Sequence, residues 1–278
     1  MKTRREFLKT VGVLSASTVV LRAFPSCSVK KDIGLQLYTL RDTIEKDTLP
    51  MLEQVSRIGY SHIEPYGFDG NFYGIPAHEF RRIVEDMGMR ITCTHSGISS
   101  QNADAYLEAA VKAGLEYIVL PSPGGRKVDT ADDYRRMAAE MNKIGEKARQ
   151  AGIRFGYHNH SGEFSSGDEG VFYDILLRDT DPELVCFQLD IFWIIKGGYE
   201  PVAYFRKYPG RFALWHVKDM DPSGESTVIG KGSIDYREIF TFAEQAGMEY
   251  FYVEQESYTK SPIESVKDSY NYIRNNLI

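Results

Sequence analysis

The chain is short of cysteine, of basic clusters and of long apolar runs. Three cysteines occur in 278 residues. Cys93 and Cys186 sit inside apolar runs, where a free thiol behaves as a small hydrophobe, and neither belongs to a CxxC. Whether the two could pair is not readable from sequence. Lys and Arg number 33 against 39 Asp and Glu, giving a net charge of -6. No basic block occurs beyond the N-terminus, which argues against a nucleic-acid partner, since such surfaces are rich in Lys and Arg. There is no Gly-rich dinucleotide turn. Pro121-Ser122-Pro123-Gly124-Gly125 lacks the Lys-Ser/Thr of a phosphate loop. Neither a low-complexity tract nor a second domain is visible.

What is present is an ordinary globular composition with ample core. The apolar fraction is 42% and mean hydropathy is -0.34. Aromatics make up 13%, including 18 Tyr. So many tyrosines suit a site that stacks on or hydrogen-bonds to sugar-like ligands. Amphipathic packing and surface cover are the simpler explanation.

The first residues read as an address. Lys2, Arg4, Arg5 and Lys9 form a charged start, followed by a small, apolar stretch from Thr10 to Phe24 that Arg22 interrupts. That stretch is too short for a stable membrane span. Thr3-Arg4-Arg5-Glu6-Phe7-Leu8-Lys9 resembles the twin-arginine export signal. Residues 1–30 are therefore read as an export signal leading to the periplasm. Cys27 offers a candidate lipid anchor, although Phe24-Pro25-Ser26 departs from the usual Leu-Ala-Gly type of lipobox.

Beyond this a single pattern recurs. A helical stretch ends in Gly and a short apolar strand follows, as at Ile58-Gly59-Tyr60, Ala113-Gly114-Leu115 and Ala246-Gly247-Met248. Gly past a helix end adopts the left-handed conformation that closes the last turn. Eight strands are expected near 33–38, 61–64, 90–94, 116–120, 154–158, 185–190, 212–217 and 250–254. Helices are expected near 44–58, 76–87, 102–113, 130–151, 170–178, 200–208, 235–246 and 261–275, with Asn102, Thr130, Asp235 and Ser261 as N-caps. Eight such units predict one (β/α)8 TIM barrel over residues 31–278, with the active face at the carboxyl ends of the strands.

Four of those strands end in a metal-binding type of residue: Phe155-Gly156-Tyr157-His158, Cys186-Phe187-Gln188-Leu189-Asp190, Ala213-Leu214-Trp215-His216 and Phe251-Tyr252-Val253-Glu254. A lone His or Glu at a strand end is more often structural. Four together on one face are costly to bury unless a cation satisfies them. Other polar groups at the same end are Gln36, Tyr38, Glu64, His95, His160, Glu163, Trp193, Lys218, Asp219 and Glu256. Alternation puts His158 with His160, His216 with Lys218 and Glu254 with Glu256 on shared sides.

At these residues the chain resembles the xylose-isomerase-like TIM barrels, the superfamily of sugar isomerases and epimerases that also holds the endonuclease IV group. The resemblance runs from residue 32 onward. It is carried by Tyr157-His158-Asn159-His160 with Glu163-Phe164, Gln188-Leu189-Asp190, His216-Val217-Lys218-Asp219, Gly230-Lys231-Gly232 and Val253-Glu254-Gln255, and points to the sugar phosphate isomerase/epimerase subgroup. It implies one divalent ion held by His158, Asp190, His216 and Glu254, and two His with two carboxylates suit Mn, Co, Zn or Fe about equally. One departure stands out. Epimerases of the family carry Glu where this chain has His158, so a symmetric two-base epimerisation loses one of its bases.

The expected chemistry is proton abstraction next to a carbonyl of a sugar or keto-sugar. Glu254 is the first candidate base, and Glu64, Glu163 or His95 the donor to oxygen. Lys218 stabilises oxyanion charge with Asp219 orienting it. Gln36, Tyr38, Glu64, His160, Trp193, Asp219 and Glu256 are the expected substrate contacts. Return of the proton gives isomerisation or epimerisation. Loss of a β-leaving group gives elimination, as on a 3-keto-glycoside, and its reverse is hydration. A non-catalytic sugar-binding barrel is the third reading, and a homo-oligomer is left open.

Overall fold

The structure, a computed structural model, describes residues 32–125 and 127–278. The export signal and Cys27 lie outside the described residues. Strands alternate with helices through the remainder. The strands are β1 (Gly34–Gln36), β2 (His62–Glu64), β3 (Arg90–Ile91), β4 (Tyr117–Leu120), β5 (Arg154–His158), β6 (Val185–Asp190), β7 (Leu214–Val217) and β8 (Tyr250–Val253). The helices that follow them are α1 (Thr48–Ile58), α2 (Ala77–Asp86), α3 (Ala103–Ala113), α4 (Ala131–Gln150), α5 (Phe172–Asp179), α6 (Pro201–Lys207), α7 (Tyr236–Phe240) and α8 (Pro262–Asn276).

All strand pairs in the main sheet are parallel, in the order β3-β2-β1-β8-β7-β6-β5-β4. Its two edges meet through backbone bonds: Tyr117 N to Thr92 O at 3.0 Å, Val119 N to Thr94 O at 2.9 Å and Ser96 N to Val119 O at 2.9 Å. These bonds close the cylinder of the main sheet. The expected strand 90–94 is thus real in its hydrogen bonding, although its regular ladder is only two residues long.

Local chemistry explains most helix boundaries. Thr130 accepts from Asp133 N while the Asp133 side chain returns to the Thr130 backbone, a full capping box for α4. Asp235 and Ser261 cap α7 and α8, and Pro262 occupies the first helical position. Asn102 is a correction. Its side chain makes no cap bond to α3 and instead accepts from Ser99 N at 2.7 Å. Gly59 (φ 116°) and Gly247 (φ 80°) close their helices in the left-handed region, as their positions in sequence required. The expected helix 235–246 breaks after Phe240, and Ala243–Ala246 forms a separate turn.

Two apolar layers result. Outward side chains such as Tyr157, Phe187, Trp215 and Phe251 pack under the helices, with Trp215 stacked on Phe205 at 4.8 Å. Inside the lower barrel Cys93, Tyr117, Val119, Cys186 and Tyr252 form a smaller cluster. This plug makes the barrel a packed core, so a ligand can approach only at the upper mouth.

Candidate active site

Residues at the carboxyl ends of β5 to β8 supply the site. Alternation sends Tyr157, Leu189, Trp215 and Val253 outward into the layer beneath the helices. The interleaved His158, Asp190 and His216 are buried. Register then aligns them: Asp190 pairs with His216 across β6 and β7, and Gln188 with His158 across β5 and β6. Glu254 follows directly on β8. One ligand-type atom from each of His158, Asp190, His216 and Glu254 lies within 4.8 Å of the others.

The donor set suits a divalent cation. His158 Nδ1 is 3.3 Å from the Pro121 carbonyl, which can only accept, so Nε2 is left facing Asp190 Oδ2 at 3.4 Å. Asp190 divides its oxygens. Oδ1 takes Trp193 N at 2.9 Å as the cap of the short helix Ile191–Lys196, and Oδ2 faces the quartet. His216 Nδ1 is 3.0 Å from Glu254 Oε2 and 3.6 Å from Asp190 Oδ2. Lys218 reaches the same two oxygens, Glu254 Oε2 at 2.7 Å and Asp190 Oδ2 at 3.0 Å, and also bonds Glu256.

Charge balance is visible in the proton affinities. Burial alone would raise the carboxyls of Asp190 and Glu254, but Lys218 and the imidazoles outweigh it and hold both well below the ordinary range. Burial lowers His158 to about 3, helped by the neighbouring His216. His216 goes the other way. Burial disfavours its charge, yet Glu254 and Glu64 raise its pKa well above the usual value. Lys218 is likewise buried, and three carboxylates keep it charged.

A cavity of about 400 Å³ opens above this cluster. Glu254, His95 and His158 lie at its base, and Tyr38, Tyr66, His160, Trp193 and Glu256 on its walls. Volume and lining suit a polyol of sugar size. Among the described residues no helix is long and apolar enough to cross a membrane.

Several expected contacts lie elsewhere. Glu163 faces the layer behind the barrel wall, where its carboxylate accepts Tyr157 Oη at 2.5 Å and His160 N at 3.1 Å. It supports the His160 loop and does not line the cavity, so its reading as a donor to substrate is corrected. Asp219 is corrected too. Its carboxylate is filled by the N–H groups of Met220, Gly230, Gly232 and Ile234 at 2.8–3.1 Å, leaving nothing for Lys218 or a ligand. Gln36 and Glu64 are below the cavity floor, bonded to each other at 2.7 Å. His95 reaches the cavity, but its Nε2 is engaged 2.7 Å from Gln188 Oε1.

Gln188 and Tyr66 were not among the expected site residues, although Gln188 opens the Gln188-Leu189-Asp190 motif. Gln188 had a signal: it stands two residues before Asp190 and so shares its inward face. Cys93 is more than a small hydrophobe, because burial and the neighbouring Glu64 carboxylate hold its thiol protonated, well above the usual range.

An eight-stranded parallel barrel with acids and imidazoles gathered at its mouth defines a TIM barrel with a candidate metal centre. The chain belongs to the xylose isomerase-like TIM barrel family, whose model matches residues 52–276. It is 29% identical to a sugar phosphate isomerase/epimerase of Parabacteroides distasonis ATCC 8503, with a TM-score of 0.80 over 90% of this chain and 96% of that one. It is 25% identical over 165 residues to an inosose dehydratase of Lacticaseibacillus casei, covering 52% of this chain and 55% of the relative. The chain thus spans about half the length of the curated relatives it matches. A more distant fold neighbour, the IOLI protein with a bound zinc atom, superposes with a TM-score of 0.69 at 14% identity over 87% of this chain and 97% of that one.

Proposed function

We propose that the protein is a divalent-metal-dependent enzyme of the isomerase/epimerase type that removes a proton next to a carbonyl of a sugar or keto-sugar. The observation that carries this reading is the convergence of His158, Asp190, His216 and Glu254 within 4.8 Å at the base of a sugar-sized cavity. These four residues would hold the ion. When bound there, a divalent cation supplies Lewis acidity toward a carbonyl oxygen and its neighbouring hydroxyl, acidifying the C–H between them.

The chain's own groups do the rest. Glu254 is the base, since it is the quartet carboxylate that borders the cavity. Lys218, buried and not among the cavity-lining residues, keeps it ionised and does not itself meet the substrate, which corrects its expected role at the oxyanion. Glu256, bonded to Lys218 and on the cavity wall, supplies or removes protons on the solvent side. Trp193 and Tyr38 offer ring faces to a sugar.

A second reading, β-elimination or hydration, is favoured by one feature. His158 stands where a two-base epimerase carries a carboxylate, so one carboxylate base, Glu254, is paired with a separate acid. In that reaction Glu254 takes the proton α to the carbonyl. The C–O bond at the β-carbon then breaks, and the leaving oxygen is protonated to water or an alcohol. Inosose dehydratases among the relatives support it. Export along the twin-arginine route, which we also propose, makes a non-phosphorylated substrate the natural one.

Metal analysis of purified protein, followed by NMR detection of solvent deuterium uptake into keto-sugars and 3-keto-glycosides, tests these readings. One bound divalent ion and exchange at the carbon next to the carbonyl are expected. A protein that binds no divalent ion would sink the proposal.

A further inference from the structure

Two clusters of ligand-type side chains meet at His216. One is the quartet. The other is Glu64, His95 and His216, whose atoms also lie within 4.8 Å of one another. On proximity alone either could take a cation, and the ring between them could bridge two. Hydrogen-bond directions separate the cases.

Glu64 is fully buried, and as a carboxylate it can only accept. Oε2 takes Gln36 Nε2 at 2.7 Å and His216 Nε2 at 2.6 Å, and Oε1 takes Gln188 Nε2 at 2.7 Å. Of the about four lone-pair directions on a carboxylate, three are taken by protein donors, with both oxygens engaged.

The amide orientations follow. Gln36 Oε1 accepts Tyr38 N at 2.9 Å, which turns its Nε2 toward Glu64. Gln188 must also present Nε2 to Glu64, which leaves its Oε1 for His95 Nε2 at 2.7 Å. His95 Nε2 therefore carries a hydrogen and has no lone pair for a cation. His216 Nε2 is a donor by the same logic. Its other nitrogen, Nδ1, points to Asp190 and Glu254.

We propose that Glu64 is a positioning residue that holds the Nε2 hydrogen of His216, so that the chain binds one cation through His216 Nδ1 and none in the Glu64–His95–His216 cluster. This rests on the metal reading of the quartet given above. A carboxylate behind a ligating imidazole fixes the ring's tautomer and orientation and makes it a better ligand. Here the support is itself locked, since Gln36 and Gln188 bring β1 and β6 onto one acceptor. The arrangement also separates this barrel chemically from multi-metal centres, where the second cluster would need free lone pairs.

The test uses Zn²⁺ and Mn²⁺ as probes on the full chain. Elemental analysis after gel filtration should return one ion per chain. With ¹⁵N-histidine and Zn²⁺, His216 should show a hydrogen-bearing Nε2 and a metal-shifted Nδ1, a signature that merely structural support would not fix. Glu64→Gln should weaken Zn²⁺ affinity by roughly 10–100-fold. Two ions per chain, a hydrogen on Nδ1 with Nε2 bound, or affinity unchanged in a folded Glu64→Gln variant would each overturn the inference. The NMR arm needs no variant, so misfolding of Glu64→Gln cannot hide the answer. If the wild-type chain binds neither ion, the metal reading itself falls. If it binds one ion through the other nitrogen, only the role of Glu64 does.

Discussion

The ammonium of Lys218 lies 2.7 Å from Oε2 of Glu254, and both groups are buried at the mouth of the barrel. The same ammonium is 3.0 Å from Asp190 Oδ2. Lys218→Met would leave these carboxylates facing each other without their cation. Removing one partner of a buried ion pair costs about 3–5 kcal/mol. Urea unfolding of the metal-free variant should show a loss of that order, and added Mn²⁺ should restore part of it. A variant as stable as wild type would mean that the ammonium is not the main counter-charge.

Glu254→Gln keeps the size of the side chain and an oxygen for a metal or for Lys218, but removes the base. Deuterium exchange into a keto-sugar substrate should fall by roughly 10²–10⁴-fold while Mn²⁺ is still bound. Exchange at the wild-type rate would transfer the role of base to another group, with Glu256 the next to substitute.

Acid should find Glu64. Burial would raise its carboxyl, but His95 and His216 overcome that and bring it down to about 2 from an ordinary 4.5. A depressed carboxyl contributes stability that is present above about pH 4.5 and is lost as pH falls toward 2. The difference corresponds to about 3 kcal/mol. Urea midpoints measured from pH 6 down to pH 3 should fall more steeply for wild type than for Glu64→Gln. Parallel curves would refute the assignment.

Asp219 organises the loop after β7. Replacing it with Ala would strand four backbone donors, and a loss of about 2–4 kcal/mol is expected. Gly232 reports on the same knot: a Cβ there would stand 2.2 Å from Asp219 Oδ1 and 2.4 Å from Met220 O. Gly232→Ala should therefore lower the thermal midpoint nearly as much as Asp219→Ala, and the double variant should be less than additive. Full additivity would show that the two positions act separately.

The two described thiols should be inert. Burial pushes Cys186 up to about 11, so only about 0.1% is thiolate at pH 8. Burial and the neighbouring Glu64 raise Cys93 well above its ordinary value. Iodoacetamide at pH 8 should modify neither until the protein is unfolded, as read by peptide mass spectrometry. Rapid labelling of either in the folded protein would contradict the packing described.

Much of this molecule was legible in one dimension. Gly59 and Gly247, the caps Thr130, Asp235 and Ser261, and the short apolar runs specify repeated strand–helix units through local sterics and hydrogen bonding alone. The four residues that gather at the mouth were legible too, because each ends a strand and a parallel barrel sends all its strand ends to one face. Strand periodicity also gives the side of each residue, which makes Gln188 recoverable in hindsight. It cannot give neighbours across the cylinder. Gln36, Glu64, Gln188 and His216 come from four strands spread over 180 residues, and they meet only because closure and stagger set β1, β2, β6 and β7 at particular heights. The fates of Glu163, behind the wall, and Asp219, tied within its own loop, were decided in the same way. A carboxylate's local sequence says that it is polar; which donors surround it after folding determines whether it supports, binds or reacts.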